Sequence, residues 1–334
     1  MKVLQIANFQ DGVGGISVQV KSLKEKLCND GVVCDIVSTK GPLSNRIKGI
    51  VCLLTKGKRY DVFHVHACSY RGFFPAVVGV FVGRLYKKRV ILTYHGGGAE
   101  SFFRQRRALV KFIMNKTSCN IVLSGFTGRI FDRYGFHYTI IPNILESSEC
   151  FYRERSSVTP RFISIRSFAE AYNIGCTLRA FKIVQEKYPS AELILLGDGP
   201  LRVNLETFVN EKDIQNVSFV GQVPNSEIYQ YLNKADIMVS ASRFDNMPVS
   251  ILEGFKAGLL VIASNVGGVP FILQDGKNGI LFDSDDADMM AIKMIWAIEH
   301  PTEVAEMIVN ARKSLEYYSW KEIKTKLIPI YSNG

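Results

Sequence analysis

The sequence predicts an α/β protein with two doubly wound, parallel-sheet domains that face each other across a cleft. Apolar strand-like segments alternate with amphipathic helix-like segments along the chain, which is typical of parallel sheets covered by helices on both faces. The alternation stops in residues 143–160, which lack periodicity, and then restarts. The length of 334 residues also exceeds the size at which single cores stop growing, roughly 250–300 residues.

The first half of the chain contains six strand-like segments. A glycine loop and a helix over about Ser17–Asn29 follow the first of them, and an apolar helix is predicted near residues 73–86. In chain order the predicted strands are KVLQIA, VCDIVST, YDVFHVH, RVILTYH, NIVLSG and YTIIPN. We predict that residues 1–150 form the first domain.

The second half repeats this pattern. GCTLRAFKIVQEKY is its first predicted helix, and the predicted strands are RFISIRS, AELILLG, VSFVGQV, IMVSAS and LVIASNV. We predict a second domain over residues 151–317 and an amphipathic helix over residues 318–334 that packs back on the first domain. Because open α/β sheets bind ligands beyond the carboxyl ends of their strands, the predicted binding site lies between the two domains.

Composition excludes several classes of protein. With 47% hydrophobic and 22% charged residues, long disorder is not expected. The longest apolar run, residues 72–83, is too short for a bilayer span, which needs about 20 residues, and no signal peptide is visible. Seven cysteines without a C-x-x-C pair favour free thiols. The sequence therefore predicts a cytoplasmic protein, with peripheral attachment to a membrane as an open alternative.

Basic residues are distributed unevenly. Residues 1–150 carry 22 Lys and Arg against 9 Asp and Glu, whereas residues 151–334 carry 19 against 22. The basic first domain suggests an anionic partner, and no nucleic-acid-binding motif accompanies the charge. Arg104, Arg107 and Lys111 recur at helical spacing beside apolar residues, which would suit a helix lying on an anionic membrane or an anionic acceptor. A solvated helix face explains the same spacing equally well.

The segment SRFDNMPVSILEGFKAGLLVIASNVGGVP, residues 242–270, places two acids on either side of a predicted helix start. The helix VSILEGFKAG is predicted to be capped by Ser250 and ended by Gly258. Its amino-terminal amides and dipole would bind a diphosphate, while Asp245 and Glu253 can accept hydrogen bonds from sugar hydroxyls. The alternative is that both acids only cap and solvate a helix.

Glycine-rich turns and histidines follow other predicted strands. Gly14 and Gly15 open the first helix, and Gly197, Asp198 and Gly199 follow AELILL. Such turns let a ligand approach the backbone closely, although plain tight turns explain them too. His95 comes just past a strand end, where a site role and a core role both fit. His64 and His66 point to the same side of their strand, and without a third ligand they suggest packing or site lining rather than a metal.

Taken together, these motifs resemble the family 4 glycosyltransferases of the GT-B architecture, which have two Rossmann-like domains. The resemblance covers almost the whole chain and is most specific in residues 240–282. It is carried by GGISVQVKSLKEKL, TYHGGG, IIPN, GDGPLR and ASRFDNMPVSILEGFKAGLLVIASNVGGVPFILQDGKNGILF. It implies a retaining transferase that depends on a nucleotide sugar, with a donor site in the second domain and an acceptor site in the first.

The resemblance also implies site residues. The catalytic set would be Asp245, Glu253, His95 and Arg166, with Asp245 and His95 at the donor sugar, Glu253 at the ribose and Arg166 at the diphosphate. The donor-binding set would be Gly14, Gly15, Tyr172, Asn173, Gly197, Asp198, Gly199, Asn246, Met247, Pro248, Val249, Ser250 and Glu253.

Two positions depart from the family pattern. Tyr172 stands where a lysine usually grips the donor diphosphate, so a cation is missing from the predicted site. Phe271 stands where an acid is common. The acidic run DSDDAD, residues 283–288, could suggest a metal, but its place before a helix favours capping, and we expect no metal or other cofactor.

The motifs and this resemblance together predict a metal-independent transfer of a sugar from a nucleotide sugar to a glycan or lipid-linked acceptor, as in bacterial cell-surface polysaccharide synthesis. The resemblance alone implies that the transfer is retaining. A non-catalytic nucleotide-sugar binder or partner subunit remains an alternative because of Tyr172 and Phe271. An epimerase or phosphorylase of the same architecture is a further alternative. A dinucleotide oxidoreductase is not favoured, because the G-x-G-x-x-G fingerprint is missing.

Overall fold

The computed structural model describes residues 1–11, 14–145, 152–155 and 157–332. The chain divides into two compact units. The N-terminal unit comprises Met1–Glu146 and Tyr317–Gly334, and the C-terminal unit comprises Ser147–Glu316. The first dividing point lies four residues before the predicted one at residue 150, which itself is outside the described residues.

The N-terminal unit contains a parallel six-stranded sheet. Its strands are β1 (Lys2–Ala7), β2 (Val33–Ser38), β3 (Val62–Ala67), β4 (Arg89–Tyr94), β5 (Cys119–Val122) and β6 (Thr139–Ile140). They are arranged in the order β2-β1-β3-β4-β5-β6, so the direction of winding changes between β1 and β3. All six residues of β3 and the last five of β4 are buried, as expected for strands covered on both faces.

Seven helices cover this sheet among the described residues: α1 (Gly15–Asn29), α2 (Leu43–Lys56), α3 (Phe74–Leu85), α4 (Ala99–Gln105), α5 (Arg107–Met114), α6 (Gly125–Arg133) and α13 (Trp320–Ser332). The segment predicted as one basic helix is two helices, because the backbone leaves helical geometry at Arg106. Arg104 therefore lies on α4, and Arg107 and Lys111 lie on α5. The helix α2 was not predicted.

The C-terminal helix α13 packs on the N-terminal unit. Ile323, Leu327 and Tyr331 are buried against apolar residues of β1, β4 and α1. The carboxylate of Asp30 binds the Lys324 ammonium at 2.9 Å and accepts a hydrogen bond from the Trp320 indole at 3.0 Å. These contacts complete the core on one side of the sheet.

The C-terminal unit contains a second parallel sheet. Its strands are β7 (Arg161–Ile165), β8 (Glu192–Leu196), β9 (Val217–Gly221), β10 (Ile237–Ser240), β11 (Leu260–Ser264) and β12 (Ile280–Phe282), in the order β12-β11-β10-β7-β8-β9. The described helices are α7 (Ile174–Lys187), α8 (Arg202–Glu211), α9 (Ile228–Leu232), α10 (Val249–Ala257), α11 (Ala287–Glu299) and α12 (Pro301–Ser314). From β7 the chain adds β8 and β9 on one side of the sheet and then β10, β11 and β12 on the other, so the direction of winding changes between β7 and β10. Such a reversal opens a crevice at the carboxyl ends of the two strands.

Within the described ranges, every helix is too short or too polar to span a lipid bilayer.

Candidate functional site

Arg166 is the central residue of the candidate site in the C-terminal unit. It follows β7 at the winding reversal, beside the end of β10. Its Nη1 donates to Asp245 Oδ2 at 3.1 Å, and its Nε donates to Ser240 Oγ at 3.1 Å. Its Nη2 is buried and has no hydrogen-bond partner among the described residues. A buried guanidinium N–H without an acceptor is unfavourable, so this atom is suited to bind an anionic ligand.

Asp245 is held by a glycine pair in the following loop. The Gly268 amide donates to the Asp245 carbonyl at 2.8 Å. Gly267 has φ of 53°, and a side chain there would overlap the same carbonyl. The carboxylate, about one-fifth exposed, therefore combines a fixed backbone with an arginine partner.

Gly197 and Gly199 allow the loop after β8 to lie directly on the loop after β7. Gly197 has φ of 150°, and a side chain at Gly197 would overlap the Arg166 carbonyl. A side chain at Gly199 would likewise overlap the backbone of Phe168. Asp198 accepts a hydrogen bond from the Gly199 amide at 2.7 Å and pairs with Arg202 at 3.3 Å. These contacts position Arg166, which gives the glycines a structural role beside the predicted donor contact.

Tyr172 lies against Arg166. The guanidinium carbon is 5.5 Å from the centre of the phenol ring, which is cation–π distance. The residue in the usual lysine position therefore adds no charge but packs against the cation that remains. The backbone of Asn173 is in the left-handed region, with φ of 50°, and its side-chain amide donates a hydrogen bond to the Asp285 carboxylate at 2.7 Å. Arg243 pairs with the same carboxylate at 3.0 Å, which ties this loop to the rest of the unit.

The helix α10 begins beside this group. Pro248 occupies the N-cap position with no side-chain cap, so the predicted capping role of Ser250 is wrong; Ser250 is the second residue of the helix. Gly258 ends the helix in a left-handed conformation, as predicted. The first helical turn leaves amides without intrahelical partners, and its dipole end is positive.

The other residues predicted around α10 lie at its start or inside it. Asn246 and Met247 are buried, and Glu253 is half-buried just over one turn into the helix. Val249 and Ser250 are half-buried at the helix start, and Pro248 is buried. Phe271 lies in the short turn Val269–Phe271 and is 40% exposed. The structure thus brings Arg166, Asp245, Tyr172 and the start of α10 together at one end of the sheet.

Gly14 and Gly15 stand at the start of α1 in the N-terminal unit. Both are exposed, and no atom lies within 4 Å of a side chain placed at either position. Gly14 has φ of 80°, which favours glycine, whereas Gly15 is helical. Gly12 and Val13 of the predicted loop are outside the described residues. The open space leaves the backbone accessible to a ligand.

Three histidines form a cluster in this unit. His95 follows β4, and its Nε2 lies 3.0 Å from His66 Nδ1. The His66 ring stacks on His64 at 4.3 Å. His64 is hydrogen-bonded to Tyr331 at 2.6 Å and to Thr93 at 2.7 Å. The cluster borders a cavity of about 40 Å³, which is room for one or two water molecules.

Burial keeps the cluster neutral. Desolvation lowers the pKa of His64 to about 3 and the pKa of His66 well below its ordinary value. Desolvation also lowers the pKa of His95. At neutral pH these rings can exchange hydrogen bonds but carry no charge.

Asp286 of the acidic run caps α11, because its carboxylate accepts a hydrogen bond from the Met289 amide at 2.8 Å. The capping interpretation of DSDDAD is therefore confirmed. In the part of the chain that the structure describes, no three His, Cys, Asp or Glu side chains are grouped to hold a metal ion.

Four positioning residues were not identified from the sequence: Ser240, Arg243, Thr93 and Tyr331. Ser240 and Thr93 lie at strand ends, where a polar residue in a buried strand was an available signal. Arg243 is adjacent to the motif but carries no pattern of its own. Tyr331 reaches His64 from the other end of the chain, and no local pattern could have indicated that pairing.

Two family models match the chain. The model described as "Glycosyl transferases group 1" matches residues 153–314, and the model described as "Glycosyltransferase Family 4" matches residues 48–148. Together they include most of both units, and the predicted family is confirmed.

Similar proteins and structures agree with these matches. The chain is 31% identical to the sulfoquinovosyl transferase SQD2 of Arabidopsis thaliana, over 45% of this chain and only 30% of that protein. It is 23% identical to the alpha-monoglucosyldiacylglycerol synthase of Acholeplasma laidlawii over 97% of this chain and 91% of that one. The crystal structure of Anabaena Alr3699/HepE in complex with UDP has a TM-score of 0.78 at 15% identity, with 100% of both chains covered. This likeness shows the GT-B fold, as predicted.

Proposed function

We propose that this chain, which belongs to glycosyltransferase family 4, transfers a sugar from a nucleotide-sugar donor to a glycan or lipid-linked acceptor. In this reaction the acceptor oxygen forms a bond to the anomeric carbon as the bond from that carbon to the diphosphate breaks. The nucleoside diphosphate leaves, and the acceptor proton passes to its phosphate.

One observation carries the proposal: Arg166 has an unsatisfied, buried Nη2 beside the amino terminus of α10, at the winding reversal of the sheet. A diphosphate would supply acceptors both to this N–H and to the free amides of the helix. Asp245, held against Arg166, can accept hydrogen bonds from the hydroxyls of the transferred sugar. The C-terminal unit would therefore bind the donor.

Arg166 and the helix start supply positive charge at the leaving group, so we propose that the reaction proceeds without a metal ion. Stabilisation of that developing charge is electrostatic and needs no covalent step from the protein. Retention at the anomeric carbon is what the family resemblance implies. His95, neutral and hydrogen-bonded to His66, is assigned to hydrogen-bond the sugar rather than to carry charge.

The N-terminal unit would bind the acceptor, and its excess of basic residues favours an anionic one. A relative named as a monoglucosyldiacylglycerol synthase makes a lipid-linked acceptor the first choice. Such an acceptor would place the protein at the cytoplasmic face of a membrane, in a cell-surface polysaccharide or glycolipid pathway.

The test is a thermal-shift panel with UDP, GDP, ADP and their common sugar conjugates. A ligand that binds only the folded state raises the melting temperature by mass action. We begin with UDP because a structural relative is described in complex with it. A shift with one nucleotide class, followed by release of that nucleoside diphosphate in the presence of a lipid-linked acceptor, is the expected result. No shift with any of them would contradict the proposal.

A non-catalytic nucleotide-sugar binder is the second candidate, and Tyr172 is the observation that favours it. The ring replaces a cation that would stabilise the leaving group. A thermal shift with no turnover of any donor and acceptor pair would favour this second function.

A further inference from the structure

A cavity lies in the C-terminal unit, between α11, α12 and the turn that precedes β12. Its volume is about 380 Å³, within the range of about 300–1,000 Å³ that is usual for small-molecule sites. The residues that line it all fall within 275–310, so the C-terminal unit supplies every one of them. We call this space the helix-layer cavity.

The helix-layer cavity lies toward the amino-terminal edge of the sheet, away from the candidate donor site. The strands of this sheet are parallel, and Arg166 and Asp245 follow the carboxyl ends of β7 and β10. The cavity instead borders Lys277, which precedes β12, and Ile280, which begins it. The part of α11 that lines it, residues 292–296, comes after the helix has run back from the carboxyl end of β12. A ligand in this cavity is therefore distinct from the donor.

The floor of the cavity is apolar and aromatic. Ile280 and Met307 are buried there, and Trp296 is half-buried. The indole of Trp296 stacks on the His300 ring, with the ring centres 4.4 Å apart and the planes 13° apart. Because His300 is not among the residues that line the cavity, it supports the indole from outside while the rest of the indole surface borders the space. Ile292, which is exposed, extends this apolar surface to the rim.

Charged side chains of both signs surround this floor. Glu303 and Glu306 are three positions apart on α12 and so share one face of that helix. Lys293 of α11 and Lys277 of the turn add two ammonium groups, and Asp275 adds a third carboxylate. Among the residues that the structure describes, none of these five side chains forms an ion pair. The rim therefore offers hydrogen-bond acceptors and donors side by side.

We propose that the helix-layer cavity binds a short neutral glycan. One face of a pyranose ring consists of C–H groups that can pack on an indole, and the hydroxyls around the ring both donate and accept hydrogen bonds. The three carboxylates would accept from these hydroxyls, and the two ammonium groups would donate to them. A strongly anionic ligand would meet the carboxylates and a strongly cationic one the ammonium groups, so the rim favours an uncharged ligand. Binding needs no turnover, so the inference goes beyond the proposed function.

The experiment titrates the full chain, in a Trp320→Phe background, with cellobiose, maltose, lactose and N,N′-diacetylchitobiose. The chain has two tryptophans, so Trp296 is then the single one and its fluorescence reports on the cavity. At least one of the four sugars should change this emission saturably, with a millimolar dissociation constant. No saturable change with any of the four would overturn the inference.

A rim variant tests whether the carboxylates bind the sugar. Glu303→Gln with Glu306→Gln keeps the shape of the rim but replaces charged acceptors with neutral ones, so affinity should fall about tenfold. The matched control is Asp288→Asn with Glu211→Gln, two exposed acids of α11 and α8 outside the cavity, and it should bind as the parent does. Circular dichroism confirms that both variants fold. Parental affinity in the rim variant would contradict the inference.

Charged probes test the choice of an uncharged ligand. Chitobiose, the cationic counterpart of N,N′-diacetylchitobiose, and anionic digalacturonate should both bind more weakly than the best neutral sugar, and tighter binding of either would overturn the choice. The thermal shift with a nucleoside diphosphate should be the same in the parent and both variants. A nucleotide shift without sugar binding would refute this inference alone, whereas sugar binding without a nucleotide shift would refute the proposed function alone.

Discussion

The two units handle buried polar groups in opposite ways. In the N-terminal unit, His64, His66 and His95 form a cluster that burial keeps neutral. In the C-terminal unit, the buried carboxylate of Asp236 pairs with Arg153, Arg155 and Arg161. The buried histidines of the N-terminal unit are uncharged, whereas the buried carboxylate of the C-terminal unit is charged and paired with arginines.

This difference separates two kinds of site. Neutral imidazoles and hydroxyls can orient sugar hydroxyls without attracting ions, which suits contacts to an uncharged group. In the C-terminal unit, Asp245 balances the charge of Arg166, while the Arg166 Nη2 remains able to donate a hydrogen bond to an anion. The units should therefore respond differently to loss of a charged partner and to acid.

Substitution of Asp236 should have the largest effect on the free energy of unfolding. Replacing it with Asn leaves Arg155, which is 6% exposed, with a buried charge that lacks its carboxylate. Breaking a buried pair in this way costs about 3–5 kcal/mol of unfolding free energy. Urea unfolding followed by Trp296 fluorescence, in a Trp320→Phe background, would measure it in the C-terminal unit. Glu299→Gln, which breaks an exposed pair with Lys187, is the control and should cost under about 1 kcal/mol.

The site pair should come next. Asp245→Asn removes an anchor of Arg166 and the proposed acceptor for the sugar hydroxyls, so kcat should fall by about 10²–10³, the range for loss of one preorganised electrostatic contact. Arg166→Lys keeps the charge but loses the bond to Ser240 or Asp245, and should weaken nucleoside diphosphate binding about tenfold. Arg133→Lys, an exposed arginine paired with Glu100 in the N-terminal unit, is the matched control for titration calorimetry. Wild-type turnover by Asp245→Asn would refute its assigned role.

The fold and the identity of the motif were predictable from the sequence, whereas the contacts within the site were not. Strand periodicity and the spacing around Asp245 are local, and both led to the predicted site. The contact of Arg166 with Asp245 depends on β10 lying beside β7, and that order follows from crossovers that no local pattern specifies. The helix α2 was not predicted, although its exposed apolar residues Leu43, Ile47, Val51 and Leu54 recur at helical spacing.

Acid should destabilise the N-terminal unit first. The pKa of His64 is about 3 in the folded state, against about 6.5 when unfolded, so the unfolded chain binds more protons between these values. Unfolding free energy should therefore fall as pH falls below about 6.5, by up to about 1.4 kcal/mol per pH unit for each histidine that stays neutral. Urea unfolding at a series of pH values, followed by Trp320 fluorescence in a Trp296→Phe background, would measure this fall in unfolding free energy. A flat profile from pH 6.5 to 4.5 would contradict the prediction.

The smallest effect should separate the packing role of Tyr172 from a chemical one. Because the ring contacts Arg166 through its face, Tyr172→Phe keeps the cation–π contact and should change nucleoside diphosphate affinity by less than about twofold. Tyr172→Ala removes the contact, which contributes about 0.5–2 kcal/mol in partly buried sites, so affinity should fall between about twofold and thirtyfold. Titration calorimetry would measure both variants. If Phe weakened binding as much as Ala, the hydroxyl rather than the ring would be the group that the donor requires, and Tyr172 would replace the missing lysine as a hydrogen-bond donor.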